Sequence, residues 1–235
     1  MISSKQLEDE HLLKIIIEQL KLPLLHIARQ TEQAKYGTLV DYIDINSIAE
    51  MSLKMIDGFM LSREENTQTS LQLEPVSLSS ALNNAANNIE GLAKLYGCSV
   101  ELHLAGKYAP IMSQKDKLEA AFTMLGYSYI EASKNNENSN LKRRIILSGH
   151  KTSKGLVAGI FSPQLIVNNG SFIKSMNSLK ATKQAMPGIT QSTGAGIIIA
   201  NSILNDLTTK LRVAHYRKIS GMAATLIPSH QLQLV

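Results

Sequence analysis

The stretch Lys14 to Arg29, KIIIEQLKLPLLHIAR, constrains this chain most, because it is an apolar helical run with a proline inside it. Apolar residues at Leu13, Ile16, Ile17, Leu20, Leu24, Ile27 and Ala28 recur at three- and four-residue spacings, so one face must find a partner. Pro23 removes an amide donor and crowds a preceding carbonyl, which predicts a bend or one opened turn. A second helix, residues 45–62, carries the stripe Ile48, Met51, Met55, Ile56, Phe59 and Met60. Two helices of this length cannot bury both stripes against each other alone. Doubling the hairpin into a four-helix bundle is the expected solution, which predicts a homodimer. Lys35 to Thr38 form the turn, where Gly37 can take a positive φ.

With 235 residues and 44% hydrophobic content, the chain can bury the core of one ordinary domain plus a small one. No apolar run approaches the roughly 20 residues that span a bilayer, and the start MISSKQLEDEH is too polar for a signal peptide. A soluble, cytoplasmic protein without membrane contact is expected. The single cysteine, Cys98, excludes an internal disulfide and a cysteine-based metal cluster. The formal charge of +5 is scattered except at Lys142-Arg143-Arg144, and tryptophan is absent. Neither a basic stripe nor a stacking platform is visible, so nucleic acid is not an expected partner.

After the hairpin, Arg63 to Ser70 is polar and unpatterned, as a linker would be. The pattern then changes. Residues 71–76, LQLEPV, predict a short strand, and Ser77 caps a helix that Gly97 ends. CSVELHL alternates as a strand with Val100, Leu102 and Leu104 on one face, and residues 109–112 form a short partner strand. Ser113 or Gln114 opens a helix over 116–133. Strands follow at 141–150 and 155–162, then an irregular stretch from Pro163 to Thr193, the length of a lid or functional loop. A helix over 196–207 and strands over 210–217 and 222–228 close the chain.

Two of these features resemble one family. Gln19-Leu20-Lys21-Leu22-Pro23-Leu24 is similar to the Glu-Leu-Arg-Thr-Pro-Leu tail of the H box in sensor histidine kinases. The element order of residues 71–231 resembles their ATP-binding domain and its Hsp90, gyrase and MutL relatives, and LEPVSLSSALNNAANNIEGLAKLYGCSVEL is close in pattern to that domain's opening helix. The resemblance implies an α+β chain. Residues 1–66 would be a dimerisation hairpin forming a dimeric four-helix bundle, and residues 71–235 a histidine-kinase/Hsp90-like ATPase α/β sandwich.

The family's chemical positions are altered. The phosphorylated histidine stands immediately before the H-box glutamate, and here that position is Glu18, whose carboxylate cannot take a phosphoryl group on nitrogen. The two asparagine positions of the magnesium helix fall at Met124 and Ser128, and the lysine position at Glu131. Magnesium prefers hard oxygen donors in octahedral array, which methionine does not supply. The adenine-binding aspartate falls at Phe161 or Ser162, followed by Pro163 and Gln164; reading that box later, at Asn168-Asn169-Gly170, breaks the element order. Ser192-Thr193-Gly194-Ala195-Gly196 looks like the second glycine box. Glycines before a helix N-terminus let amides approach phosphate, and the same pattern also suits a tight turn packing a helix on a sheet.

These readings predict a pseudokinase without a cofactor. It would be a dimeric binding module that docks a receiver domain or another histidine kinase near Glu18, Gln19, Lys21 and Pro23. The alternatives are a phosphotransferase using His11 or His26, a divergent kinase still binding ATP and magnesium through Gly194 and Gly196, or an inhibitor forming mixed dimers with a kinase. His103, His150, His215 and His230 lie on strands and a tail without the spacing of zinc ligands.

Overall fold

The computed structural model describes residues 4–63, 73–134, 143–153, 155–163 and 194–229, apart from the side chains of 4–9, 11 and 134. Most of the linker 63–70, the loop residues 164–193 with Gln164, Asn168, Asn169, Gly170, Ser192 and Thr193, and His230 lie outside the described residues.

Helix α1 spans Ser4–Lys35 and α2 spans Tyr42–Leu61. Both are longer than the periodic runs that predict them. The α2 start is set by Asp41, whose carboxylate accepts from the amides of Ile43 and Asp44 at 2.9 and 3.3 Å, satisfying donors that the first turn leaves open. Gly37, at φ 77°, turns the chain between them. The opened turn expected at Pro23 is not seen, since α1 runs through that residue as one helix.

The remaining elements are β1 (Glu74–Val76), α3 (Leu78–Leu95), β2 (Ser99–Leu104), β3 (Ile111–Ser113), α4 (Lys115–Lys134), β4 (Arg144–Thr152), β5 (Gly155–Phe161), α5 (Ala195–Asp206), β6 (Arg212–Tyr216) and β7 (Ile219–Leu226). Ser77 caps α3 by accepting from the amide of Ser80, and Gly97, at φ 63°, ends its turn. Five strands form one sheet in the order β2-β4-β5-β7-β6, with β2 parallel to β4 and the other pairs antiparallel. The short strand β3 pairs antiparallel with β1, not with β2 as its sequence position suggested. The parallel β2–β4 pairing commits β2's one paired edge to β4 and makes it an edge strand.

Helices α3, α4 and α5 cover one face of the five-stranded sheet. Ile145, Leu147, Leu156, Ala158, Ile160, Met222 and Ala224 alternate inward from it to join Ala81, Leu82, Ile89, Phe122, Leu125, Ile130, Ile199 and Ile203 in one core. Val100, Leu102 and Leu104 pack on that core, as their alternation predicts. The opposite face carries a smaller cluster of Ile146, Val157, Phe161 and Ala223.

The hairpin is continuous with the main core. Leu12, Ile16, Met51 and Met55 are buried together with residues of α3, α4 and α5. The apolar stripes of α1 and α2 are therefore split. Their inner halves rest on the sandwich of the same chain, while Leu13, Ile17, Leu24, Leu53, Ile56 and Met60 stay exposed. Periodicity alone predicts a bundle for both stripes, because it reports that a face is apolar without saying what it meets.

Candidate functional site

The helix positions that the resemblance assigns to magnesium lie on α4, where it faces α5 and α2. Met124 is 1% exposed and Ser128 2%. Gly194, at φ 69°, is the N-cap residue of α5, a backbone that glycine adopts without steric cost. Two residues on, Gly196 is buried so tightly that an added Cβ would collide with the Met124 carbonyl and stand 2.5 Å from Ser128 Oγ. The start of α5 is thus closed against α4. On the outer side of Met124, Cγ and Sδ lie 3.1 Å from where a Cβ on Gly58 of α2 would be, and Ile199 Cγ2 lies 3.5 Å away. The site that these residues form is an apolar junction of three helices, and its side chains offer a thioether and one hydroxyl where hard oxygen donors would be needed.

Electrostatics at this junction follow the burial. Desolvation pushes the Tyr127 phenol well above its ordinary value, with Glu50 of α2 adding to the effect. Tyr127 Oη donates to the Asn88 carbonyl at 3.2 Å. Tyr96, at the end of α3, is raised by burial first and then by Glu131 and Asp44. Glu131, which the resemblance assigns to a lysine position, accepts from Gln19 Nε2 of α1 at 2.6 Å.

Phe161 does not join this junction. Phe161 belongs to the far face of the sheet, where its ring centroid is 5.5 Å from that of Tyr216. Ser162 is buried, and its amide donates to the Ser220 carbonyl at 3.2 Å. The positions nominated together for nucleotide are therefore divided between two faces, because successive side chains of β5 alternate across the sheet. Pro163 follows in a turn.

On α1, Glu18 and Lys21 are exposed and pair with each other at 2.7 Å. Gln19 faces α4 through its bond to Glu131, so it does not share their surface. Pro23 is half-buried and His26 is exposed. His11 has its backbone in α1, but its side chain is outside the described residues.

Sequence spacing treats the strand histidines as dispersed, and two of them approach the same ring, that of Tyr216. The rings of His103 and His150 lie 5.8 and 6.1 Å from Tyr216, and His103 Nε2 is 3.1 Å from Glu101 Oε2. Among the described residues no group of three metal-ligating side chains forms, and no helix is long and apolar enough to cross a membrane. The contributions of Gly58 and Gly91 to the hairpin contact were missed in the sequence. A glycine inside a helix costs about 1 kcal/mol relative to alanine, so its presence in a helical run is a signal of close packing.

A helical hairpin ahead of a two-layer sandwich, with three helices on a five-stranded mixed sheet, is the histidine-kinase fold. The Acinetobacter baumannii histidine kinase AdeS matches with a TM-score of 0.54 at 15% sequence identity, over 91% of this chain and 98% of its own. Full-length ShkA, solved in complex with AMPPNP, matches with a TM-score of 0.52 at 11% identity. That match covers 94% of this chain and 46% of ShkA, so the chain spans about half of that protein's length. At these identities the likeness is one of fold. No family model matches the sequence, and no curated protein does.

Proposed function

We propose that this chain is a cytoplasmic two-component signalling protein that keeps the scaffold of a histidine kinase without its phosphoryl chemistry. It acts as a homodimeric binding module for a receiver domain or a histidine kinase, and it uses no ATP or magnesium. The observation that carries this reading is the closed junction at Met124 and Ser128, filled on one side by the backbone at Gly196 and on the other by α2 at Gly58. Glu18 at the phosphoacceptor position points the same way. A receiver would dock on the exposed pair Glu18 and Lys21, next to Pro23, while Gln19 serves the contact with α4.

The second copy is supported by the spacing of what α1 and α2 leave uncovered. Leu13, Ile17, Leu20 and Leu24 follow a 4-3-4 rhythm, and Leu53, Ile56 and Met60 continue it on α2, the repeat of a helical seam. All but Leu20 are exposed.

Calorimetric titration of the purified protein with ATP and magnesium tests the absence of phosphoryl chemistry. No saturable heat up to millimolar nucleotide is expected, and micromolar binding would overturn the reading. One observation favours a second function, phosphotransfer through His26, because that imidazole is exposed on α1. An acid-labile phosphate mapped to His26 after incubation with a phosphorylated receiver would establish it.

A further inference from the structure

We infer that α2 is a strap that locks the hairpin to the sandwich, so that the two move as one body, with Gly91 of α3 making room for Ser47 of α2 and Gly58 of α2 making room for Met124 of α4. This deepens the non-catalytic reading and rests on it, since a chain that passes on no phosphoryl group has no need to carry its sandwich to a second position along the hairpin.

The contact runs the length of α2. Near its start, Ser47 lies against Gly91 of α3, its Oγ 3.3 Å and its Cβ 3.9 Å from where a Cβ on Gly91 would stand. Near its end, Gly58 admits the side chain of Met124 at 3.1 Å. Between these points Met51 and Met55 are buried in the main core. A separate tie comes from α1, where Gln19 binds Glu131 at 2.6 Å. Apolar burial, two backbone gaps and a polar tie therefore act on one interface. Such an interface has one good fit, because close-packed surfaces slide only by losing their contacts together.

Cross-linking tests the strap in the intact protein. A separation of 3.9 Å between Cβ positions is what a disulfide needs, and Gly91 is exposed enough for an oxidant to reach. The Ser47→Cys, Gly91→Cys double variant, treated with oxidised glutathione, should lose two of its three thiols, while each single variant should not form the internal bond. Adding Gly58→Trp should slow the reaction about tenfold or more, because the indole cannot share the space of Met124. Adding Gly58→Ala should leave the rate unchanged, since the flexible Met124 end can give way. Circular dichroism checks that each variant is folded. A folded double variant that stays reduced, or a Gly58→Trp variant that cross-links as fast as its parent, would overturn the strap. If the double variant cross-links and the unmodified protein nevertheless binds ATP, the strap stands and the non-catalytic reading falls.

Discussion

Gly196 has no room for even one methyl group, since its Cα faces the Met124 carbonyl and the Ser128 hydroxyl. Backbone atoms cannot retreat as a side chain can, so α5 would have to back away from α4. Gly196→Ala should therefore lower stability by about 1–3 kcal/mol in urea denaturation. Gly58→Ala meets the side chain of Met124, with Ile199 at ordinary contact distance, and should change stability much less. A Gly196→Ala protein as stable as its parent would show that the α4–α5 contact is looser than its geometry. The glycines were legible in the sequence as a possible phosphate loop or as a tight turn. The packing against Met124 and Ser128 favours the turn, and that choice depended on residues about 70 positions earlier in the chain, which no local motif can register.

Among the elements, α4 carries the most buried load. Tyr127 and Tyr129 sit on it with both phenols pushed well above the ordinary value of 10.0 by burial. In the unfolded chain these phenols would ionise near that ordinary value, so alkali favours the unfolded state. Their contribution to stability is present in full below about pH 10 and is lost as the pH climbs from there towards the raised folded values. Phenolate absorbance from these two residues should accordingly appear together with loss of the circular dichroism signal, as one step. Early ionisation with the helix signal intact would contradict their burial. The sequence placed α4 within a residue at each end. It did not reveal that the outer face of this helix would be roofed by α2, since the resemblance assigned Met124 to a magnesium position and helical spacing does not say what covers a face.

For the whole molecule, the exposed half of the hairpin is the surface that the proposed second copy would cover. Leu13, Ile17, Leu53, Ile56 and Met60 leave an apolar seam that water penalises at about 25 cal/mol per Å². The double variant Ile17→Glu, Ile56→Glu should convert a dimer into a folded monomer, measured by light scattering, with the sandwich still intact by circular dichroism. A parent protein that is already monomeric at high concentration would end the dimer reading. The sequence by itself determined the element types and their order, from the helical stripes of the hairpin to the alternating strands of the sheet. Periodicity, caps such as Asp41 and Ser77, and turn glycines such as Gly37 and Gly97 act between near neighbours. Only the tertiary structure decided that β3 joins β1, that Phe161 faces away from Met124, that Gln19 turns inward, and that half of each hairpin stripe is consumed within the chain. An apolar face is indifferent to which apolar partner covers it, so shape and space across distant segments, not local pattern, make that selection.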